Sequence, residues 1–509
     1  MAKKRVFLTG GSGTMGWQGF QELYHRKDQY HIVLLNRGGK KNRELFAPYA
    51  SDPDVTLLWG DLKHESDVLA GVTGADVVLH VGGMVSPAAD YDPKGTISTN
   101  VTAARNIVKA VKAQPNADDI RVVYIGTVAE TGERDAPIHW ARTGDPIKIS
   151  VYDHYAISKV VAESIFAESG LKHWVSLRQS GILYPNIIKN YDPIMFHVPI
   201  NGVLEWATVE DSARLLANVC ADWVPEEFWR RFYNIGSGKD YRITNFEFEQ
   251  YLLGALGLGS PKKIFDANWF TLRNFHGQWY ADSDALEGYL HFREYKPIKQ
   301  YFAELSARLP AYYKLAKVAP PALVRALGMK RLTQMPIYGT MNWIENDVEP
   351  RIKAYYGSKA AWRAIGGWDT FPIRRPTEDV SLLDHGYDES KPLETLSTED
   401  LQKAAAFRGG ALVSKYSGDP YAKLTWRCAQ GHTFEMSPNL VLRGGHWCPE
   451  DLPGPTDGDL SLPFTPWNYD EEAKINPFFA QVWYPLHDKS EHNVYGEEIF
   501  AGMKGYENK

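Results

Sequence analysis

The feature that most constrains this chain is a glycine-spaced turn, Lys4-Arg-Val-Phe-Leu-Thr-Gly-Gly-Ser-Gly-Thr-Met-Gly-Trp-Gln-Gly19. Arg5 to Thr9 is a β-branched and aromatic run that predicts a buried strand. Gly10, Gly13 and Gly16 follow at three-residue spacing, and the next residues form a helix with Phe20 and Leu23 on one face. A strand that turns on glycines into a helix leaves backbone N–H groups and the positive end of the helix dipole free for a pyrophosphate. The glycines allow a tight turn, close approach of backbone to phosphate, and close helix–strand packing. A Gly-rich turn alone is weak evidence, but directly after a strand it has the context that dinucleotide binding requires.

Strand-like and helical patterns alternate to about residue 180, as in βαβ units of a parallel sheet. The predicted strands are His31–Leu35, Val55–Trp59, Asp76–Val81, Val122–Ile125 and Trp174–Leu177. The second ends in Asn36-Arg37-Gly-Gly-Lys40-Lys41-Asn-Arg43. An acidic residue there would bind the ribose 2′-hydroxyl of NAD. None is present, and Arg37 with Lys40, Lys41 or Arg43 suits a 2′-phosphate, so NADP is expected, with NAD as the alternative. The third strand runs into Gly60-Asp61-Leu62, where Asp61 can accept from an adenine amino group or cap the next turn. The fourth runs into Gly82-Gly83, small enough for a cofactor to lie against the backbone. Thr127 and Arg178-Gln-Ser180 fall at carboxyl ends of strands, where ligands of open α/β sheets bind.

Tyr155-Ala-Ile-Ser-Lys159 places a phenol and an ammonium on one helix face. An ammonium beside a phenol lowers the phenol's pKa, so Tyr155 can exchange a proton with a carbonyl or alcohol oxygen during hydride transfer. Lys159 can also hydrogen-bond the nicotinamide ribose, and Thr127 can hold the substrate oxygen. Alone, such a pair is usually a helix surface pair; its position after the glycine turn and Thr127 points to catalysis.

Thr9-Gly-Gly-Ser-Gly-Thr-Met-Gly16, Asp61, Asn100, Thr127, Tyr155, Lys159, Leu177-Arg178-Gln-Ser-Gly-Ile-Leu-Tyr-Pro185 and Tyr233-Asn-Ile-Gly-Ser-Gly238 resemble the extended short-chain dehydrogenase/reductase superfamily, the NAD-dependent epimerase/dehydratase group. The resemblance spans roughly residues 4 to 300. It implies an α/β fold: a Rossmann-type doubly wound parallel sheet with a small substrate-binding domain. It also implies catalysis by Tyr155 as acid/base, Lys159 as activator and Thr127 as orienting hydroxyl. The residues expected to border the dinucleotide are Gly10, Gly13, Thr14, Met15, Gly16, Asn36, Arg37, Asp61, Leu62, Gly82, Asn100, Tyr155 and Lys159. Sugar-nucleotide dehydratases of this group carry an Asp-Glu pair after the catalytic Thr. Val128 and Ala129 stand there instead, and Glu130 would need an odd geometry to substitute. An oxidoreductase interconverting a secondary alcohol and a ketone is therefore the leading reading. An epimerase or dehydratase with tightly held NAD is its rival, and a non-catalytic NADP(H)-binding scaffold the rival from another class.

The expected organisation is a dinucleotide-binding domain over 1–185, with segments near 203–238 returning to it, and a mainly substrate-binding part over 186–306. A helical extension over 307–395, a module over 396–455 and an extended aromatic and Pro-rich arm over 456–509 complete a C-terminal α+β extension. Trp269-Phe270, Phe275-His276 and Trp279-Tyr280 suit an apolar substrate wall or merely lid packing, with Arg273, His276 and Gln278 as candidate polar anchors. Ser397-Thr-Glu-Asp400 reads as a capping box with Asp for Glu. Cys428-Ala-Gln-Gly-His432 and Cys448-Pro-Glu-Asp451 have the spacing of two zinc knuckles. They resemble a treble-clef zinc-ribbon module whose last cysteine is replaced by Asp451, so Cys428, His432, Cys448 and Asp451 are candidate ligands of a structural zinc. His446 is an alternative fourth ligand, and a packed relic without metal is the competing reading.

At 509 residues there is room for two or three cores. The net charge of −6 gives no electrostatic case for nucleic acid. Three cysteines, Cys220, Cys428 and Cys448, exclude a disulfide framework and fit a reducing compartment. Met1-Ala-Lys-Lys is too short for a signal peptide, and no apolar run reaches about eighteen residues, so a cytoplasmic protein with a small-molecule substrate and no membrane partner is expected. A homodimer is the family-based expectation.

Overall fold

The computed structural model describes residues 3–310, 313, 320–455, 463–504 and 506. The parts of the expected helical extension at 311–312 and 314–319, and of the arm at 456–462, 505 and 507–509, lie outside the described residues. Seven strands form the main sheet: Lys4–Thr9 (β1), Tyr30–Asn36 (β2), Val55–Trp59 (β3), Val77–His80 (β4), Arg121–Thr127 (β5), Trp174–Gln179 (β6) and Arg231–Ile235 (β7). Their order is β7-β6-β5-β4-β1-β2-β3, and every pair is parallel. Strand order reverses between β1 and β4, which opens a crevice at their carboxyl ends.

Successive side chains of a strand face opposite ways. In β1, Phe7 enters one core, with Val33, Ile107 and Phe166, while Val6 and Leu8 enter the other, with Phe20, Leu23 and Leu216. Helices Thr14–His25 (α1) and Val209–Asn218 pack together on the second face, and Pro93–Lys112 (α2) and His154–Ala167 (α3) on the first. Beyond β6 the chain builds a smaller unit from two short strand pairs, Ile182–Leu183 with Ala207–Thr208 and Val203–Glu205 with Arg242–Thr244. Helix Asn245–Leu256 (α4) completes it, opened by the Thr244/Glu247 capping box.

The helical extension has helices only to Ile365; residues 366–392 follow without any, because Gly366-Gly and Pro-containing turns interrupt the pattern. Helix Thr398–Phe407 opens on the Ser397/Asp400 capping box. Strands Ala411–Leu412, Leu424–Arg427 and Thr433–Met436 then form a small antiparallel sheet. Leu401, Trp426 and Leu440 of this module are fully buried in the same core as Phe7 and Phe166, so the module is welded to the Rossmann sheet. Fully burying a side chain of this size stabilises by roughly 2–3 kcal/mol.

The C-terminal arm folds back over its own chain. Trp467, Tyr495 and Phe500 pack edge-on around Tyr152, and Phe500 contacts His154 with ring centroids 4.2 Å apart. The Tyr469 hydroxyl donates to the Ile149 carbonyl at 2.9 Å. Tyr152 has φ 77°, a strained value for a bulky residue, immediately before α3. The arm thus holds the strained turn from which α3 starts.

Candidate functional site

At the end of β1, Gly10 has φ +74°, and a Cβ there would fall 2.6 Å from the Gly82 Cα after β4. A Cβ on Gly16 would lie 2.1 Å from the Gly10 carbonyl oxygen. Only glycine permits this closeness. Gly13 is the N-cap of α1 and has no side chain to satisfy the first-turn N–H groups. Those free donors fit a pyrophosphate. The Thr9 hydroxyl accepts from the Gly82 N–H at 3.0 Å and lies 3.0 Å from His80 Nδ1, pinning the two strand ends together.

Of the other expected cofactor residues, Leu62 lies against Gly82 and Asn36 is buried beside Gly11 with its amide nitrogen unpartnered. Arg37 is exposed at the end of β2, and among the described residues its side chain has no ion pair. Arg43 lies over the Trp59 ring, 4.7 Å from its centroid, and donates to the Gly38 carbonyl. Met15 is buried and Thr14 borders the cavity described below. Two residues are turned to local tasks. Asp61 accepts from the Lys63 N–H at 2.9 Å, the turn-capping alternative. Asn100 bridges the Met84 backbone and the Ser158 hydroxyl, tying α2 to α3.

Thr127 ends β5, and Tyr155 sits in the first turn of α3, whose N-cap Asp153 accepts from the Ala156 N–H at 2.8 Å. The Thr127 hydroxyl lies on the Tyr155 phenol's side and favours its ionised form. Both border a cavity of about 540 Å³. Burial pushes the Tyr155 phenol above its ordinary value, outweighing the opposing effect of Thr127. This corrects the expected lowering by Lys159: the ammonium donates instead to the Ile125 carbonyl at 2.5 Å and lies over the Tyr124 ring. Burial lowers Lys159 to about 8, opposed by the carboxylates of Glu130 and Glu163.

Glu130 does not reach the cavity as a proton carrier. It accepts from the Thr127 N–H at 2.8 Å and meets Arg178 Nε at 3.0 Å. Burial and the neighbouring Glu163 push its carboxyl well above the ordinary range, against the Arg178 guanidinium. Burial alone would raise Glu163, but Arg178 and His446 outweigh it and hold Glu163 ionised. Arg178 also donates to the Gly444 carbonyl at 2.6 Å, and His446 Nε2 lies 2.8 Å from Glu163. His446 is therefore no zinc ligand; it docks the C-terminal module onto the cluster behind Thr127. Sequence spacing carried no sign of this contact.

The four candidate zinc ligands converge. Ligand atoms of Cys428, His432, Cys448 and Asp451 all lie within 4.8 Å of one another. His432 Nδ1 is 2.8 Å from Asp451 and 3.8 Å from Cys448 Sγ. Cys428 and His432 are brought together by a tight hairpin in which the Gly431 N–H donates to the Cys428 carbonyl and the Cys428 N–H to the His432 carbonyl.

Of the candidate polar anchors, only His276 borders the cavity. Arg273 pairs with Glu491 of the arm, and Gln278 hydrogen-bonds Thr131. Phe275 is in the cavity wall, whereas Trp269, Phe270, Trp279 and Tyr280 are buried packing residues. Sequence reasoning missed Trp206, which stacks on Phe248 at 4.4 Å, and Glu249, both in the wall.

Crevice, glycine turn and the Thr127–Tyr155–Lys159 constellation define a dinucleotide-binding α/β fold of the short-chain dehydrogenase/reductase type. Residues 6–182, about a third of the chain, match the model of the NAD dependent epimerase/dehydratase family. A UDP-N-acetylglucosamine 4,6-dehydratase (inverting) of Campylobacter jejuni is 28% identical over 109 residues, 21% of this chain and 32% of that protein. Human 3 beta-hydroxysteroid dehydrogenase type 7 is 28% identical over 174 residues, 33% of this chain and 45% of that protein. The chain thus spans between a third and a half of the length of these curated relatives. Among solved structures, a dTDP-glucose 4,6-dehydratase of Streptomyces venezuelae with NAD and TYD bound superposes with TM-score 0.47 at 19% identity, over 60% of this chain and 96% of that one. No helix among the described residues is long and apolar enough to cross a membrane.

Proposed function

We propose that the protein is an NADP(H)-dependent oxidoreductase that interconverts a secondary alcohol and a ketone. The observation that carries this reading is the Thr127–Tyr155 pair facing a cavity beside the glycine-turn crevice. Gly10, Gly13, Gly16 and Gly82 would hold the dinucleotide, with Arg37 at a 2′-phosphate. A bound nicotinamide supplies the hydride donor or acceptor. Tyr155 gives its proton to a carbonyl oxygen, or takes one from a hydroxyl, and Thr127 holds that oxygen in place. Lys159, whose ammonium is held by the Ile125 carbonyl, would meet the nicotinamide ribose rather than the phenol. Glu130 fixes the Thr127 backbone.

A second reading, a sugar-nucleotide epimerase or dehydratase with retained NAD, is favoured by the names of several relatives. Val128 and Ala129, and the local engagement of Glu130, weigh against dehydration. For the C-terminal module, the convergence of Cys428, His432, Cys448 and Asp451 supports a structural zinc, with the carboxylate as fourth ligand. Native mass spectrometry of the purified protein reads both points. The expected spectrum shows one zinc and a dinucleotide site that fills preferentially with NADPH. Retained NAD would overturn the cofactor assignment, and a metal-free folded protein the zinc assignment.

A further inference from the structure

The cavity wall says what kind of molecule it accepts. Val85, Ile182, Ile194, Met195, Leu252 and Phe275 make most of it apolar. Among the described residues, no lysine or arginine lines it; its ionisable groups are Asp135, Asp192, Glu249, His276 and the two tyrosines Tyr155 and Tyr184. A diphosphate is recognised by cations and backbone N–H donors, and an ionised one would here meet an apolar wall carrying carboxyl groups. Asp192 is already engaged, accepting from the Tyr91 hydroxyl at 2.8 Å and the Ile194 N–H at 3.0 Å.

Glu249 is different. It sits on α4 with 2% exposure, its Oε2 is buried without a hydrogen-bond partner, and no ion pair reaches it among the described residues. A buried carboxyl left unpaired in an apolar wall is costly, and an exchangeable partner entering the cavity removes that cost. Burial raises its pKa to about 8, so near neutral pH it is mostly the uncharged acid, able to donate one hydrogen bond and accept another. A volume of about 540 Å³ suits a compact small molecule.

We propose that the cavity takes an uncharged, largely apolar ring compound that presents its ketone or secondary alcohol to Tyr155 and a second hydroxyl or carbonyl to the Glu249 carboxyl, and that it rejects nucleoside diphosphate sugars. The proposal rests on the oxidoreductase reading for the orientation of the reacting oxygen, but its test needs no turnover. Nile red, a neutral dye that brightens in apolar sites, is bound to the full-length protein in the presence of NADP⁺. It is then displaced with decalone, hydroxydecalone and UDP-glucose. Hydroxydecalone is expected to displace the dye most effectively, decalone about five- to tenfold more weakly for lack of one hydrogen bond, and UDP-glucose not at all. In Glu249→Leu the two ketones should become equal, while Glu249→Gln, which keeps a donor and an acceptor, should retain the preference. Displacement by UDP-glucose at or below the decalone concentration overturns the proposal, as does an undiminished hydroxydecalone preference in Glu249→Leu. The expected binding pattern without any hydride transfer would instead refute the oxidoreductase reading alone.

Discussion

Glu249 allows a prediction about stability that does not depend on any ligand. Its carboxyl is raised from an ordinary 4.5 to about 8, and the sole cause is burial. Between those values the folded protein binds a proton that the unfolded chain releases, so stability falls as pH rises through that window. At ~1.4 kcal/mol for each tenfold, the full effect has an upper bound of ~5 kcal/mol. Water entering the cavity solvates the carboxylate and brings the expected value to about 2–4 kcal/mol. Glu249→Gln removes the charge and keeps the shape. Urea unfolding of both proteins at about pH 5 and about pH 9 reads the difference. The variant should match the wild type within ~1 kcal/mol at the lower pH and exceed it by about 2–4 kcal/mol at the higher. A variant with the wild-type pH slope, or one less stable than wild type at the higher pH, would show that Glu249 is not a buried, unpaired acid.

Three further outcomes follow from the site. Arg178→Leu leaves Glu163 buried without its guanidinium and should cost about 3–5 kcal/mol in unfolding free energy; a loss under ~1 kcal/mol would mean that the cluster does not hold the module. Because Glu163 is held below the ordinary carboxylate range, its stabilising contribution is present above its unfolded value and is lost as pH falls through the folded one, so acid should unfold the wild type over a range absent from Glu163→Gln. Arg37→Ala should weaken NADPH binding about tenfold or more, measured by calorimetry, and leave NADH nearly unchanged; equal losses for both would remove the 2′-phosphate assignment.

The sheet and glycine turn were legible because their signals are local. The apolar runs of β1 to β6 each fit within about seven residues, and Tyr155 and Lys159 share a helix face by spacing alone. Side-chain direction was not legible. The Lys159 ammonium is claimed by a carbonyl of β5, so its expected hold on the Tyr155 phenol is absent, and Glu130 is claimed by Thr127 and Arg178. Neither pairing shows in the periodicity of α3. The aromatic stretch after Phe265 looked uniform, yet only Phe275 and His276 of its large side chains reach the cavity, because Arg273 and Gln278 found partners far along the chain. His446 meets Glu163 across 283 positions of sequence, a contact that only tertiary packing creates.

The most direct test of the account is hydride transfer in wild type and Tyr155→Phe, followed by the near-ultraviolet absorbance of reduced nicotinamide over a panel of neutral cyclic ketones and alcohols. We expect wild-type protein to consume NADPH in step with ketone lost, and the variant to be slower by about two to four orders of magnitude while binding NADPH as before. Undiminished turnover in Tyr155→Phe, or product formed with the dinucleotide returned unchanged, would contradict it.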